Sequence, residues 1–501
     1  MTAAEHAAVR DRRSGSLLFV AAIATGIAAI LSVSPLLGSK SGLILLVGVV
    51  ALALGVCAVI SPVFATILLL VAMFLRLPIR SIAELPIELF LIAFAAVAAS
   101  TVLWMDRTPD RLRGIGAVEW AMAVYITWNF YSMFAPHRYP AYDPIAAEPF
   151  SVARFIVVGI VIPFALYVVG RYTFDRVSAV RALMWVILAV AAYSAVVSIL
   201  PFTPLTRFVW PRYVLEVENP SWVGRAVGIF NHPVINGMAL ALGFAIAMLM
   251  AGRRSEPVWQ RRAAIVIAVA CGVGIYETHT RAAWLGGLAV LVIGALLARG
   301  NRKGYITILV LLIAMVALNW STFTSSDREA GGVGSENEVQ SRLNDIQTAF
   351  WAISRKPVEG WGIGRFQSVN TYHHQQWSPE IPFSEGFGEV SHQNELAITA
   401  ELGVIGLSMW ICVLALAAYW LWDAYRTLPD NDLCGKPLTV VAMMAMSILI
   451  CAGLTVDYRF FEFSVSVIFL LVGIAVGWSD RHKLAPATDP AVLREGVGQH
   501  A

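Results

Sequence analysis

Long, almost uninterrupted apolar runs recur along this chain, and they decide what it can fold into. A helix needs about 20 mostly apolar residues to cross a bilayer. Fourteen stretches reach or approach that length: approximately 17–37, 43–60, 62–77, 86–105, 117–134, 152–170, 180–201, 232–251, 263–277, 281–298, 304–320, 394–422, 438–456 and 460–478. The runs are continuous rather than alternating, which excludes a β-barrel. Of 501 residues, 58% are hydrophobic and only 14% are charged, too few to cover a soluble globule of this size. The net charge of +3 and the lack of a basic tract exclude disordered, collagen-like and nucleic-acid-binding chains. The expected fold is therefore all-α: a polytopic transmembrane bundle of about fourteen spans. The second and third runs are short and meet at Ser61-Pro62, where they can form one broken re-entrant pair, so the range is twelve to fourteen.

Lysine and arginine placement gives the direction. With Arg10, Arg12 and Arg13 inside, the inside connections carry 21 of the 36 basic residues. Of the other 15, eight fall in two long segments, 202–231 and 321–391, where the rule is weak, so short connections divide 21 against 7. Every strongly basic connection lands on one side. The organisation expected is a cytoplasmic N-terminus (1–16), eleven spans (17–320), an extracytoplasmic loop (321–391), three spans (392–478) and a cytoplasmic, disordered tail (479–501). The first run resembles a signal anchor and counts as the first span. None of the five cysteines lies in an outside loop, so neither a disulfide framework nor a metal-ligand spacing is expected.

The loop 321–391 holds the unusual residues. It opens on a Ser- and Gly-rich strap, Ser321 to Ser335. In Glu338 to Lys356, the residues Val339, Leu343, Ile346, Phe350 and Ile353 recur at spacings of four and three, which makes one apolar face on a helix. Such a helix can lie on the outer membrane face or cap the bundle. Pro357 stops it, and Gly360-Trp361-Gly362-Ile363-Gly364 forms a tight turn. No strand precedes this glycine run, so it is not a nucleotide loop. Tyr372, Trp377, Phe383 and Phe387 suit sugar rings, although aromatics in membrane proteins more often serve as interfacial anchors. His373-His374 lacks a third ligand at a telling distance and reads as surface loop.

Three charged residues fall at predicted outer helix ends: Arg225 before the eighth span, Arg281 at the start of the tenth and His392 at the start of the twelfth. A lone Arg there is most often a headgroup anchor and a lone His a cap. Together at one membrane level, they suit a diphosphate and a hydroxyl: arginine binds phosphate oxygens bidentately, and histidine accepts a proton near neutral pH. Glu401 sits about two turns into an apolar helix, where an ionisable group needs a partner or a watery cavity. Arg459 and Glu462, three apart at a helix start, are expected to pair.

The order of these pieces, over roughly residues 220 to 425, resembles the O-antigen ligase and O-antigen polymerase superfamily of membrane glycosyltransferases. Arg225 to Gly237 resembles the family's Arg, Gly-aromatic, Asn/Pro and Gly run. Thr280-Arg281-Ala282-Ala283-Trp284 is similar to its Ser-Arg-Gly-Ala-Trp-like helix start. Arg342 through Trp351, Pro357 and Gly360-Trp361-Gly362 resembles its outside helix ending in Pro and Gly-x-Gly. His392, Leu396, Ala400-Glu401-Leu402-Gly403 and Gly406-Leu407 resemble its His-Asn, Leu, Ala-Glu-x-Gly and Gly-Leu spacing, with Gln393 where the family usually has Asn and Asn394 one place late.

The resemblance implies transfer of a glycan from a lipid diphosphate carrier, usually undecaprenyl diphosphate, to a sugar hydroxyl outside the cytoplasmic membrane. It implies Arg281 and Arg225 on the diphosphate and His392 as base. Arg342, Glu401, Gln393 and Asn394 are substrate-binding candidates. The donor is already activated, so no nucleotide, metal or other cofactor is expected, and inversion at the anomeric carbon is. The partners implied are the lipid-linked donor, a glycan or glycolipid acceptor and membrane lipid, without nucleic acid. A ligase-like transferase is the first reading. A polymerase of the same superfamily is second, and a transporter or flippase with Arg225, Arg281 and Glu401 along its path remains open.

Overall fold

A computed structural model describes residue 55 and residues 58–82, 88–108, 114–143, 148–217, 219, 222–325, 336–430 and 432–484. The first expected span, nearly all of the second, most of the 321–335 strap and the tail from 485 lie outside the described residues. The chain divides into two compact units, Met1–Leu69 with Ile87–Pro109, and Leu70–Pro86 with Asp110–Ala501.

Among the described residues the regular structure is helical apart from one two-residue β-pair, Tyr142–Asp143 with Glu148–Pro149. In chain order the helices used below are α1 (Pro62–Phe74), α2 (Arg76–Ile82), α3 (Leu89–Arg107), α4 (Ala117–Phe134), α5 (Val152–Thr173), α6 (Val177–Ile199), α7 (Pro233–Gly252), α8 (Val258–Glu277), α9 (Arg281–Leu297), α10 (Arg302–Leu318), α11 (Glu336–Arg355), α12 (Phe366–His373), α13 (Asn394–Thr427), α14 (Lys436–Gly453) and α15 (Glu462–Leu484).

The chain is a multi-pass membrane protein. Among the described residues, eight helices are long and apolar enough to cross a bilayer: α3, α5, α6, α7, α8, α13, α14 and α15. The pair α1 and α2, bent by 59°, makes a ninth if it is one span. Of the fourteen expected runs, the first and nearly all of the second lie outside the described residues and do not enter this count. The expected runs 117–134, 281–298 and 304–320 are helices too, but α4 carries Glu119 and Asn129, and α9 and α10 have only 17 residues each. The last helix runs to Leu484, past the expected start of the tail at 479.

Small residues let the backbones approach. The Gly473-x-x-x-Gly477 spacing on α15 faces α5, where a Cβ on either glycine would overlap the carbonyl oxygen of Tyr167 or Arg171. Between spans, where lipid is as apolar as any side chain, such close packing supplies the attraction. A π-turn at Val157–Val161 interrupts α5, and its Gly159 abuts the backbone of Arg459. Helix α7 is almost wholly buried, with Gly237 against Ala283 of α9 and Gly243 against Ala191 of α6.

One end of the larger unit collects ion pairs. Arg171 at the end of α5 meets Glu119 of α4 and Asp480 of α15 (2.8 Å). Lys483 meets Asp423 near the end of α13, and Arg299 beyond α9 meets Asp430 (3.3 Å), which also takes Lys436 at the start of α14 (3.0 Å). These connections were expected on one side from their charge, and here they share one end of the bundle. Arg225, Arg281 and His392 lie at the opposite helix ends.

Candidate functional site

The segment before α7 is built around Asn236. Its Nδ2 donates to the Ala226 carbonyl (2.9 Å) and to Ser198 Oγ (2.8 Å), while Ser194 Oγ donates to its Oδ1 (2.7 Å). Gly228, at φ +57°, lies so close to this amide that any side chain would collide with it. The Ala226 N–H donates to the Glu277 carbonyl (2.7 Å), tying the segment carrying Arg225 to the end of α8. Three residues further on, Thr280 precedes Arg281 at the first turn of α9. Thr278 and Thr280 bond backbone carbonyls within this tight connection (2.7 and 2.9 Å).

Helix α11 joins these pieces. Its expected range, 338–356, is close to the observed one. The face turned to the protein, however, is the polar and alanine stripe Asn344, Asp345, Thr348, Ala349 and Ala352, while Val339 and Phe350 face outward. The segment 374–391 is clamped onto that stripe. Asn344 Nδ2 donates to the carbonyls of Pro382 (3.1 Å) and Glu385 (2.9 Å), and Thr348 Oγ1 accepts from the Gln375 N–H (3.0 Å). Asn370 Nδ2 donates to Asp345 Oδ1 (3.1 Å) and to the carbonyls of Gly386 (2.7 Å) and Glu389 (3.0 Å).

Glu338, Arg342 and Asp345 lie four and then three residues apart, on one side of α11. Glu338 pairs with Arg225. Burial and the like charge of Arg281 press down the pKa of Arg342, against the opposing effect of Glu338. Asp345 Oδ2 lies 3.7 Å from His392 Nε2, which is 2.9 Å from Glu389 Oε2. Ser341 Oγ also donates to Glu389 (3.0 Å). The hydrogen bond from His392 holds Glu389 below the usual carboxylate range, with Ser341 adding to it. Burial, and then the charge of Glu389, hold Asp345 well above that range. Three stretches far apart in sequence thus converge along one polar stripe.

His232 belongs to the same neighbourhood. It caps α7 with Nδ1 accepting from the Val234 N–H (3.2 Å) and packs against Trp222 and Phe461, with ring centroids 4.7 and 5.1 Å away. Burial, with the positive surroundings of His392 and Arg225, pushes it down to about 3, so it stays neutral. Asn394 is fully buried at the start of α13, and Gln393 is its N-cap residue. Asn394 Oδ1 and Asp345 Oδ2 are buried acceptors with no hydrogen-bond donor among the described residues.

Glu401 has its partner inside the protein. Its Oε2 is 2.9 Å from Arg459 Nη1, and its Oε1 accepts from the Phe366 N–H (3.1 Å). The glycine turn lies against the same stretch of α13: Trp361 and Gly362 donate to the carbonyls of Ala400 (2.9 Å) and Glu401 (2.8 Å). Gly360, Gly362 and Gly364 all have positive φ, and α13 itself kinks at Gly403 (φ +68°). The expected Arg459–Glu462 pair does not form. Glu462 pairs with Arg76, and Arg459 grips Asp457 at 2.6 Å as well as Glu401, because its guanidinium is buried and must satisfy both ends. His374 is also not a surface residue: it is buried, 2.6 Å from Asn370 Oδ1, between Phe383 and Phe387.

Sequence inspection singled out Arg225, Arg281, Arg342 and His392, and these gather. It passed over Glu338, Asp345, Glu389 and His232 as site members. The signal was present for the first two as a second stripe at helical spacing, and for Glu389 as a carboxylate three residues before His392. Asp345, Glu389 and His392 have ligand atoms all within 4.8 Å of one another, a grouping that could also hold a metal ion.

A membrane-embedded helix bundle with a basic, histidine-containing polar site at one end of its helices defines the class. Residues 263–411 match the family model described as O-antigen ligase, which supports the resemblance to that superfamily over this part of the chain. The match runs from within α8 to the first half of α13, so it includes Arg281, Arg342 and His392, while Arg225 lies before it. No curated protein matches the chain.

Proposed function

We propose that this protein is an O-antigen ligase-like glycosyltransferase that moves a glycan from an undecaprenyl-type diphosphate carrier to an acceptor hydroxyl outside the bacterial cytoplasmic membrane. The observation that carries the reading is the polar stripe of α11, which links Arg225, Arg281 and His392 through Glu338, Arg342 and Asp345. The bias of short basic connections to the other end of the bundle supports an outward-facing site.

Arg225 and Arg281 hold the diphosphate, and their fixed charge stabilises the leaving group as its bond to the anomeric carbon breaks. Arg342 adds a further anion contact. With a proton on His392 Nε2 directed at Glu389 (2.9 Å), the lone pair lies on Nδ1. That atom takes the acceptor proton as the hydroxyl oxygen attacks, with inversion. Glu389, the carboxylate held in its charged form, then stabilises the imidazolium, as a buried acid does in a hydrolase triad. Gln393 and Asn394 are acceptor contacts, and the unused Oδ1 of Asn394 supports that assignment. Glu401, paired with Arg459, steadies the glycine turn beneath the site.

The test is transfer from purified lipid-linked glycan in detergent, where transport has no meaning. Product there supports an enzyme; binding without product would favour a carrier. Replacing Arg225, Arg281 or His392 by alanine should abolish transfer with normal membrane insertion, and full activity of His392→Ala would remove the base assignment. A polymerase of the same superfamily is separated by a deletion strain. Lost ligation leaves long chains on the carrier, whereas lost polymerisation leaves single units.

A further inference from the structure

We propose that the opposite end of the bundle carries a pocket for the phosphate headgroup of an anionic phospholipid. A cavity of about 420 Å³ opens between the ends of α7 and α9 and the starts of α10 and α14. Arg253, Arg254, Arg299 and Lys436 line it, against the single carboxylate Asp430. That carboxylate is shared by Arg299 (3.3 Å) and Lys436 (3.0 Å). Arg253 leans on Glu256 (3.7 Å), which also takes Arg181 at 3.2 Å. With Asp432 also near Arg253, three carboxylates stand among five cations, and the cavity keeps a surplus of positive charge.

Most of the remaining lining is apolar, including Leu249, Tyr305 and Val440, with Ser255 and Asn301 as its polar members. The pocket is firmly built. Asn301 Nδ2 donates to the Met248 carbonyl (3.1 Å), and Tyr305 packs into the space left by Gly294. A phosphate group from a soluble molecule would share the same cations, but the position favours a lipid. The 17 residues of α9 separate the cavity from Arg281 by roughly 25 Å at 1.5 Å per residue, close to a hydrocarbon layer. Aromatic residues lie at this level: Tyr425 donates to the Leu297 carbonyl (3.3 Å) and stacks on the exposed Trp422, with ring centroids 5.8 Å apart. Such belts mark the membrane–water interface, and basic pockets between helices there recognise acidic headgroups. This inference does not depend on the glycan-transfer reading.

The full-length protein in detergent, analysed by native mass spectrometry and thermal melting with added phosphatidylglycerol, phosphatidylcholine or inorganic phosphate, tests it. Phosphatidylglycerol should be retained and should raise the Tm, and the other two should not. The double variant Arg254→Gln/Arg299→Gln changes exposed side chains, so it should keep its lipid-free Tm while losing phosphatidylglycerol affinity about 25-fold, at about fivefold per basic residue. Equal retention of both lipids, a double variant that binds as well as the parent, or an equal shift from inorganic phosphate alone would each overturn the proposal. Should the double variant fail to fold, the comparison of the two lipids on the unaltered protein still decides.

Discussion

His392 Nε2 stands 2.9 Å from Glu389 Oε2, and the two side chains face each other three residues apart just before α13. The contact orients the imidazole, and on the proposed reading its other nitrogen takes the acceptor proton. Glu389→Gln keeps the shape and removes the charge. Its expected effect is a fall in kcat of about 100-fold, within the range for disabled acid–base partners, with KM for the donor little changed. A KM effect without a kcat effect would recast Glu389 as a substrate contact.

Arg225 is paired with Glu338, so on the proposed reading a diphosphate competes with a carboxylate for it. Glu338→Gln should therefore lower KM for the donor about fivefold, for roughly 1 kcal/mol of released competition. Arg225→Ala should reduce kcat/KM by about 100-fold or more. Identical losses in both variants would mean that the pair acts only as a structural tie.

Burial holds Asp345 above the ordinary carboxylate range, and the sign of the consequence is fixed. Between the unfolded pKa and the raised folded one, the folded protein binds more protons, so stability falls as pH rises through that window. Asp345→Asn removes the titration and can keep the 3.1 Å bond from Asn370. Its Tm relative to the parent should rise with pH, measured from pH 5 to 8. A constant difference would refute the assignment.

Gly403 sits at φ +68° inside α13, and a Cβ there would overlap the Val358 carbonyl. The kink gives the glycine turn its seat against Ala400 and Glu401. Gly403→Ala combines backbone strain with overpacking, about 2–5 kcal/mol of destabilisation. Thermal melting should register a clear loss, and an unchanged Tm would mean that the kink relaxes freely.

The apolar runs made the spans legible because burial in lipid demands continuous apolar sequence. Fourteen runs stand beside eight helices of full spanning length among the described residues, because the runs also register shorter helices such as α9 and α10 and two runs that fall almost wholly outside those residues. Arg225, Arg281 and His392 stood out because charges at helix ends are rare enough to notice. Glu338 and Asp345 did not, because acidic residues on a loop helix look like an ordinary solvated face. Only folding shows that this face turns inward while Val339 and Phe350 turn out. Arg459 was misassigned because sequence proximity to Glu462 is a weaker guide than the need of a buried guanidinium for Asp457 and Glu401.

Asp345, Glu389 and His392 can be a proton relay or a cation site, since their ligand atoms lie within 4.8 Å of one another. The two roles make opposite demands on Asp345. A cation needs it deprotonated, whereas its buried setting favours the protonated form. Glu389, held charged by its bond from His392, already balances an imidazolium without help from a metal. Transfer activity should accordingly survive exhaustive chelation with EDTA, and added magnesium, manganese or zinc should not raise it. Activity lost on chelation and restored by one of these ions would make the trio a metal site. His392 would then be a ligand, and the acceptor's proton would need a different base.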